Sequence, residues 1–335
     1  MHELTPDNAL DYLREKNLLE AGAAARVEAL GWGVSNLVLR VESGPRRFVL
    51  KQSRPQLRTK DAWFSDLDRV YREQEVMQLL HPLLGPVVPA VLFVDRDNFV
   101  FAMSHAPLEA RVWKEMLLAG EVDQGIAVRA GRVLGKMHQA TAASPSLVEP
   151  FRDHKVFVQL RAEPFYERIQ ERCPEVAARV RTIEERMLAT KEALCHGDFS
   201  PKNMLVHAGD FTLVDYETGC FGDPTMDLGF FLSHLMLKAI KRHKDRGRYF
   251  ELTRSFWDSY AEEVRFRPLV DLEERGSAHF GVCLLARIDG TSPVDYLSEE
   301  EKRDVARRLG RQVLLEPVKR WADVLDLCEG LVATI

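Results

Sequence analysis

Cysteine is scarce. The 335-residue chain has five, at positions 173, 195, 220, 283 and 328, with no C-x-x-C pair. An odd, scattered set excludes a disulfide framework or a cysteine-based structural zinc, and predicts a reduced, cytoplasmic chain. Long apolar runs are missing too. None approaches the ~20 residues of a membrane-spanning helix. The first residues, MHELTPDNAL, lack the basic region and apolar core of a secretory signal. A basic excess is also absent. Net charge is −5, so neither nucleic acid nor an anionic membrane is an expected partner. The one basic stretch, Lys238–Arg248, reads as a solvated helix end and loop. No internal repeat, low-complexity segment or long linker interrupts the chain.

What is present is ordinary globular composition. With 46% hydrophobic and 29% charged residues, a chain this long can bury two cores or one large one. Thr5-Pro6-Asp7 supplies a capping hydroxyl, a first-turn proline and an acid, predicting a helix to about Leu19. Leu37–Val41 and Arg46–Gln52, joined by Ser43-Gly44-Pro45, predict an antiparallel hairpin. Asp66 should cap a helix through Leu80 that Pro82 breaks. Val91–Met103 reads as two strands around Asp95–Asn98. Residues ~20–103 therefore form a small, mostly antiparallel sheet with one long helix, within an N-terminal lobe of residues 1–103.

From 104 to 335 the pattern is mainly helical. Helices are expected over Arg111–Ala119, Glu121–Thr141, Asp153–Arg172 (interrupted by Pro164) and Pro174–Lys191. A short β stretch follows over Ala193–Asp215, and Ser298 with Glu301 spells a capping box in the helical tail. The fold class is α+β, two-lobed.

The chemistry concentrates in Leu194–Gly229, LCHGDFSPKNMLVHAGDFTLVDYETGCFGDPTMDLG. Met204–Val206 and Phe211–Val214 are short apolar strands, with His207-Ala208-Gly209-Asp210 as the turn. A hairpin gathers its outer ends, so Asp198 and Asn203 should approach Asp215 and Glu217. Three carboxylates and an amide on one sheet edge repel one another unless a cation or proton intervenes. Mg²⁺ suits such oxygen donors, completing its shell with phosphate oxygens.

Asp198-x4-Asn203 followed by Asp215 resembles the catalytic and metal loops of kinases. The whole segment, opening His196-Gly197-Asp198 and continuing to Asp223-Pro224 and Asp227, resembles the aminoglycoside phosphotransferase and choline kinase superfamily. The resemblance implies a protein-kinase-like fold, ATP and Mg²⁺ as cofactors, and a small-molecule hydroxyl as phosphoryl acceptor. It implies Asp198 as base, and Asp215 with Asn203 or Glu217 as metal ligands. His196 is expected to hold the loop, and Asp227 to cap its amides.

Upstream, Lys51 ends a strand on which Val49 shares its face, placing an ammonium for phosphate beside a small apolar group for adenine. Glu73 is its expected helix partner, with Glu75 the competitor. Gly31-Trp32-Gly33-Val34-Ser35-Asn36 precedes a strand; its resemblance to the superfamily assigns Gly33, Ser35 and Asn36 to the phosphates, and Met103 and His105 to adenine.

Three features resemble the methylthioribose kinase branch. Asp215-Tyr216-Glu217 is D-x-E rather than D-F-G. Lys51–Arg72 resembles that branch's tryptophan loop, with Trp63 over the sugar. Leu285–Gly290 resembles a segment whose arginine pair contacts the transferring phosphate; here Arg287 is present and Ala286 fills the other place. HGDFSPKN departs from that branch's loop. The branch implies a pentose-like acceptor, in a pocket built by Asp153–Lys191 and Asp271–Tyr296. Aminoglycoside or amino-alcohol kinases, and a non-catalytic nucleotide-binding relative, are the alternatives. The sequence leaves the oligomeric state open, a homodimer included.

Overall fold

The computed structural model describes residues 3–31, 36–53, 67, 69–316 and 318–333. The chain divides into two compact units, Met1–Leu108 and Glu109–Ile335.

The N-terminal unit is a five-stranded antiparallel sheet of order β1-β2-β3-β5-β4. Its strands are β1 (Arg26–Ala29), β2 (Asn36–Ser43), β3 (Arg46–Ser53), β4 (Val91–Asp95) and β5 (Val100–Ser104). Alternation sorts the side chains of β3. Phe48 and Leu50 join Leu39 and Val41 in a core with Tyr12 and Leu13 of α1 (Ala9–Glu15). α2 (Arg69–Leu84) packs against β3 and β5 and buries Val70, Glu73, Met77 and Leu80.

Two expectations fail in this unit. α1 stops at Glu15, not Leu19, because Asn17 turns left-handed at φ +57 and the Leu18 and Leu19 N–H groups bond back to Leu13 O. Pro82 lies inside α2 rather than ending it. In the last turn a proline removes one donor without forcing the chain out of helical φ.

The C-terminal unit is mostly helical. It opens with β6 (Arg111–Val112), α3 (Trp113–Ala119) and α4 (Gln124–Ala142), the last capped by Asp123 Oδ1 on Gly125 N. Arg111 and Val112 were expected in the helix; they pair instead with Val206 and Leu205. After the short α5 (Pro145–Val148) come α6 (Lys155–Phe157), a π-helical segment Val158–Glu167, α7 (Arg168–Arg172) and α8 (Pro174–Ala189). Pro164 therefore does not interrupt the run 155–172. The helix widens around it, as π-turns allow.

β7 (Ala193–Cys195), β8 (Met204–His207), β9 (Asp210–Leu213) and β10 (Cys220–Gly222) follow. β7 pairs β10, and β8 pairs β9 through a turn in which Ala208 and Gly209 both have positive φ, +46 and +76. The rest is α9 (Pro224–Lys241), α10 (Arg246–Glu263), α11 (Leu269–Asp289), α12 (Glu300–Leu315) and α13 (Trp321–Val332). α9 packs on α10 and α11, α4 on α10. The Ser298–Glu301 capping box does not form; the N-cap is Glu299. Lys241 and Lys302 hold its carboxylate at 3.1 and 3.0 Å. Lys238, read as part of a solvated helix end, is buried within α9 at 1% exposure. Among the described residues no helix is long and apolar enough to cross a membrane.

Candidate active site

In the N-terminal unit, Lys51 lies between Val38 of β2 and Phe101 of β5. Its Nζ is 2.6 Å from Glu73 Oε2, and the two side chains are 7% and 0% exposed. Glu75, two residues on and so ~200° around the helix, pairs instead with Arg96 at 2.7 Å. Asn36 is buried, its Oδ1 accepting from Ser53 Oγ and Arg69 Nη2 at 3.4 Å each. Met103 is buried opposite Val49, and the His105 ring Nδ1 contacts Ala106 O. Gly33, Ser35 and Trp63 lie outside the described residues.

In the C-terminal unit, the β7–β10 pair is the base from which residues 196–219 loop out. Gly197 sits at φ +75, and a Cβ there would meet Thr218 O at 2.8 Å. Only glycine makes this turn without strain. Asp227, in the first turn of α9, accepts from His196 N at 2.7 Å and Gly197 N at 2.8 Å. His138 Nε2 stands 3.3 Å from the same carboxylate. Burial keeps His196 below the usual histidine range, against the pull of Asp227, Asp198 and Asp215. The neutral ring accepts from Asp198 N at Nδ1, 3.2 Å, and its Nε2 is enclosed with no partner. His196 thus shapes the loop from below.

Asn203 closes the other side. Its Nδ2 donates to Asp198 O at 2.9 Å. Asn203 O accepts from Val214 N at 3.0 Å, tying the start of the hairpin to the residue before Asp215. Asp215 adopts φ +72, a left-handed conformation uncommon outside glycine and stored where the surroundings over-determine it. Glu217 is buried two residues later. Asn203, Asp215 and Glu217 carry the hard oxygen donors that Mg²⁺ prefers, so these residues would suit a magnesium ion, which would supply positive charge for phosphate oxygens.

Sequence reasoning missed Arg161. Projecting from the π-helical segment, its Nη2 lies 2.8 Å from Asp198 Oδ2 and its Nε donates to Gly197 O at 2.6 Å. The guanidinium also lies over the Phe165 and Phe230 rings. The only signal was Pro164 inside a helical pattern, which marks irregular backbone without naming the residue it aims. Arg287, on α11, donates to the carbonyl and hydroxyl of Ser292, while its Nε is enclosed without a partner. Burial lowers its proton affinity, offset by Tyr296 and Asp198 nearby.

A family model described as the phosphotransferase enzyme family matches residues 26–262. The chain belongs to the phosphotransferase enzyme family. Among curated proteins, a methylthioribose kinase from Bacillus cereus (strain G9842) is 20% identical over 93% of this chain and 91% of its own length. The structure of choline kinase from Cryptosporidium parvum Iowa II matches with TM-score 0.57 at 11% identity, covering 98% of both chains. Plasmodium vivax ethanolamine kinase matches with TM-score 0.57 at 13% identity, over 92% of this chain and 90% of that one. The fold is accordingly protein-kinase-like. Like these relatives, this phosphotransferase is a small-molecule kinase, and ATP use follows from the family. The segment 196–217 presents a carboxylate (Asp198) and oxygens of a kind that suits a metal, and the π-helical segment brings the Arg161 guanidinium to that carboxylate, a composition suited to phosphoryl transfer.

Proposed function

We propose that this phosphotransferase moves the γ-phosphoryl group of Mg·ATP to a hydroxyl of a pentose-like sugar, with Asp198 as the base. The observation that carries the reading is the Asp198–Asn203–Asp215 module, in which Asn203 holds the base loop through its side-chain amide and the hairpin that would hold the metal through its backbone carbonyl. Mg²⁺, when bound at Asn203, Asp215 and Glu217, neutralises phosphate charge. Lys51, oriented by Glu73, adds a fixed positive charge for the phosphates. Met103 and His105 flank adenine. Asp198 accepts a hydrogen bond from the acceptor hydroxyl, orients it in line and takes its proton late. A strong base is not required, because positioning and electrostatics supply most of the rate. Arg161 holds the carboxylate in place, and Arg287 faces the transferring phosphate.

The sugar assignment is supported by the D-x-E at Asp215–Glu217 and by the full-length likeness to methylthioribose kinase. Cationic acceptors, such as choline or aminoglycosides, call for a site lined with acids; Asp198 instead sits beside Arg161, and Lys202 Nζ is 4.0 Å away. Five free, buried cysteines support a cytoplasmic setting, and the acidic balance supports small molecules rather than nucleic acid or membrane as partners. A coupled ADP-release screen over methylthioribose, deoxypentoses, choline, homoserine and aminoglycosides tests it. Pentose-dependent release is expected; release with a cationic acceptor alone overturns the sugar assignment.

A further inference from the structure

One buried lysine in the C-terminal unit has no role in this mechanism. Lys238 is 1% exposed, two helical turns along α9 from Phe230. An ammonium has three hydrogens to donate. Lys238 Nζ reaches its own helix at His234 O, 3.0 Å, and the Tyr296 hydroxyl at 3.5 Å. Among the described residues no carboxylate lies within ion-pair distance of it. The ammonium also lies 5.2 Å from the Tyr296 ring centroid, and Lys114 Nζ from α3 stands 5.6 Å from the same centroid. Two lysines thus share one ring. Lys114 has an acid partner of its own, the exposed Asp295, at 3.7 Å.

The stripe Phe230, His234, Lys238 recurs every four residues, so it forms one face of α9. Its near end is at the base: Arg161, paired to Asp198, lies over Phe230, and the Phe230 ring is 4.9 Å from His234. Burial, then Lys238, Arg287, Lys202 and Arg161, keep His234 well below the usual histidine range. These basic side chains make the surroundings of His234 electropositive. Burial, with Lys114 and Arg287 nearby, likewise pulls Lys238 well below the usual lysine range, because without an anionic partner nothing repays the desolvation of its ammonium form.

We propose that the acceptor is an anionic alcohol, bearing a carboxylate or phosphate group that pairs with Lys238 beside Lys114 and Tyr296 while its hydroxyl meets Asp198. This rests on the kinase reading above and narrows its acceptor class: the pentose-like compound carries an acid. Binding the anion supplies the missing counter-charge to Lys238 and draws selectivity from a buried ion pair. The same cations repel polycationic acceptors.

The test is kcat/KM of the full chain with Mg·ATP and paired acceptors: ribose against ribonate, and ribose against ribose 5-phosphate. The acid of at least one pair is expected to be preferred by tenfold or more, and whichever pair shows it identifies the anion as carboxylate or phosphate. Lys238→Met should collapse that ratio at least tenfold, chiefly through KM, and Lys238→Arg should keep most of it. Should Lys238→Met fail a circular-dichroism check of folding, Lys114→Gln is read in its place and should lower the ratio in the same direction. Equal or better turnover of ribose, or an unmoved ratio in the variants, overturns the proposal. If no acceptor releases ADP, calorimetric titration with ribonate and ribose 5-phosphate separates the two readings. Anion binding lost in Lys238→Met upholds the anion site while the kinase reading fails, and no binding by the wild type overturns the anion site.

Discussion

Arg161 Nη2 lies 2.8 Å from Asp198 Oδ2, and the same guanidinium binds Gly197 O through Nε. One side chain thus fixes both the carboxylate and the backbone turn before it. Arg161→Ala should lower kcat by about 10²-fold, the scale at which misplacing a catalytic group costs rate, with the KM for ATP nearly unchanged. Arg161→Lys should recover little, since an ammonium cannot span both contacts. Steady-state kinetics with varied ATP separates the two parameters.

Lys51 and Glu73 form a buried ion pair at 2.6 Å. Removing one member of a buried ion pair typically costs about 3–5 kcal/mol. Glu73→Ala should therefore destabilise the N-terminal unit and raise the KM for Mg·ATP. The double variant Lys51→Met, Glu73→Leu should regain stability in urea unfolding while remaining inactive. That split would separate the pair's role in the fold from its role at phosphate.

Asp215 is predicted to hold metal with Asn203 and Glu217. Asp215→Ala should abolish the Mg²⁺ dependence of nucleotide binding, read by calorimetry with and without chelator. Asp198→Asn should leave that dependence in place. Identical losses in both variants would contradict the separation of metal ligand from base.

Much of this site was legible in the sequence because it is local. The hairpin turn Ala208-Gly209, the spacing from Asp198 to Asn203 and the D-x-E all lie within one short segment, where strand period and turn chemistry decide geometry. Lys51 and Glu73 were also readable, one from strand alternation and one from helix phase. Arg161 was not, because its aim depends on a π-helical widening that a 3.6-residue period does not encode. Lys238 looked like any lysine at a basic helix end. Its burial comes from Tyr296 and α3, more than fifty residues away in either direction, and no local pattern reports that. Ser298 spelled a cap, but the helix begins one residue later, at Glu300, and Lys241 and Lys302 stabilise Glu299 as its cap.

Acid should destabilise the fold in two stages. Burial holds His234 and His279 below the ordinary histidine value of about 6.5. The unfolded chain takes up those protons first, so stability is full above that value and declines as pH falls from it. Asp223 follows at lower pH. Burial alone would raise its pKa, but His279, Arg275 (2.6 Å) and Thr225 hold it well below the usual carboxylate range. Its contribution is present above the unfolded value near 4 and is lost as pH falls further. Each group changes stability by at most about 1.4 kcal/mol per pH unit. Thermal melts between pH 8 and 4 should show a flat upper region and a fall beginning near 6.5. His279→Gln should weaken the first stage.

The most direct test follows the γ-phosphate itself. With [γ-³²P]ATP, Mg²⁺ and a pentose acceptor found by the screen, the wild type should transfer label to the acceptor. Asp198→Asn should lose at least about 10³-fold in kcat, of the order seen when a positioned base is removed, while binding Mg·ATP within a few-fold of the wild type. Near-normal label transfer by Asp198→Asn would contradict the account.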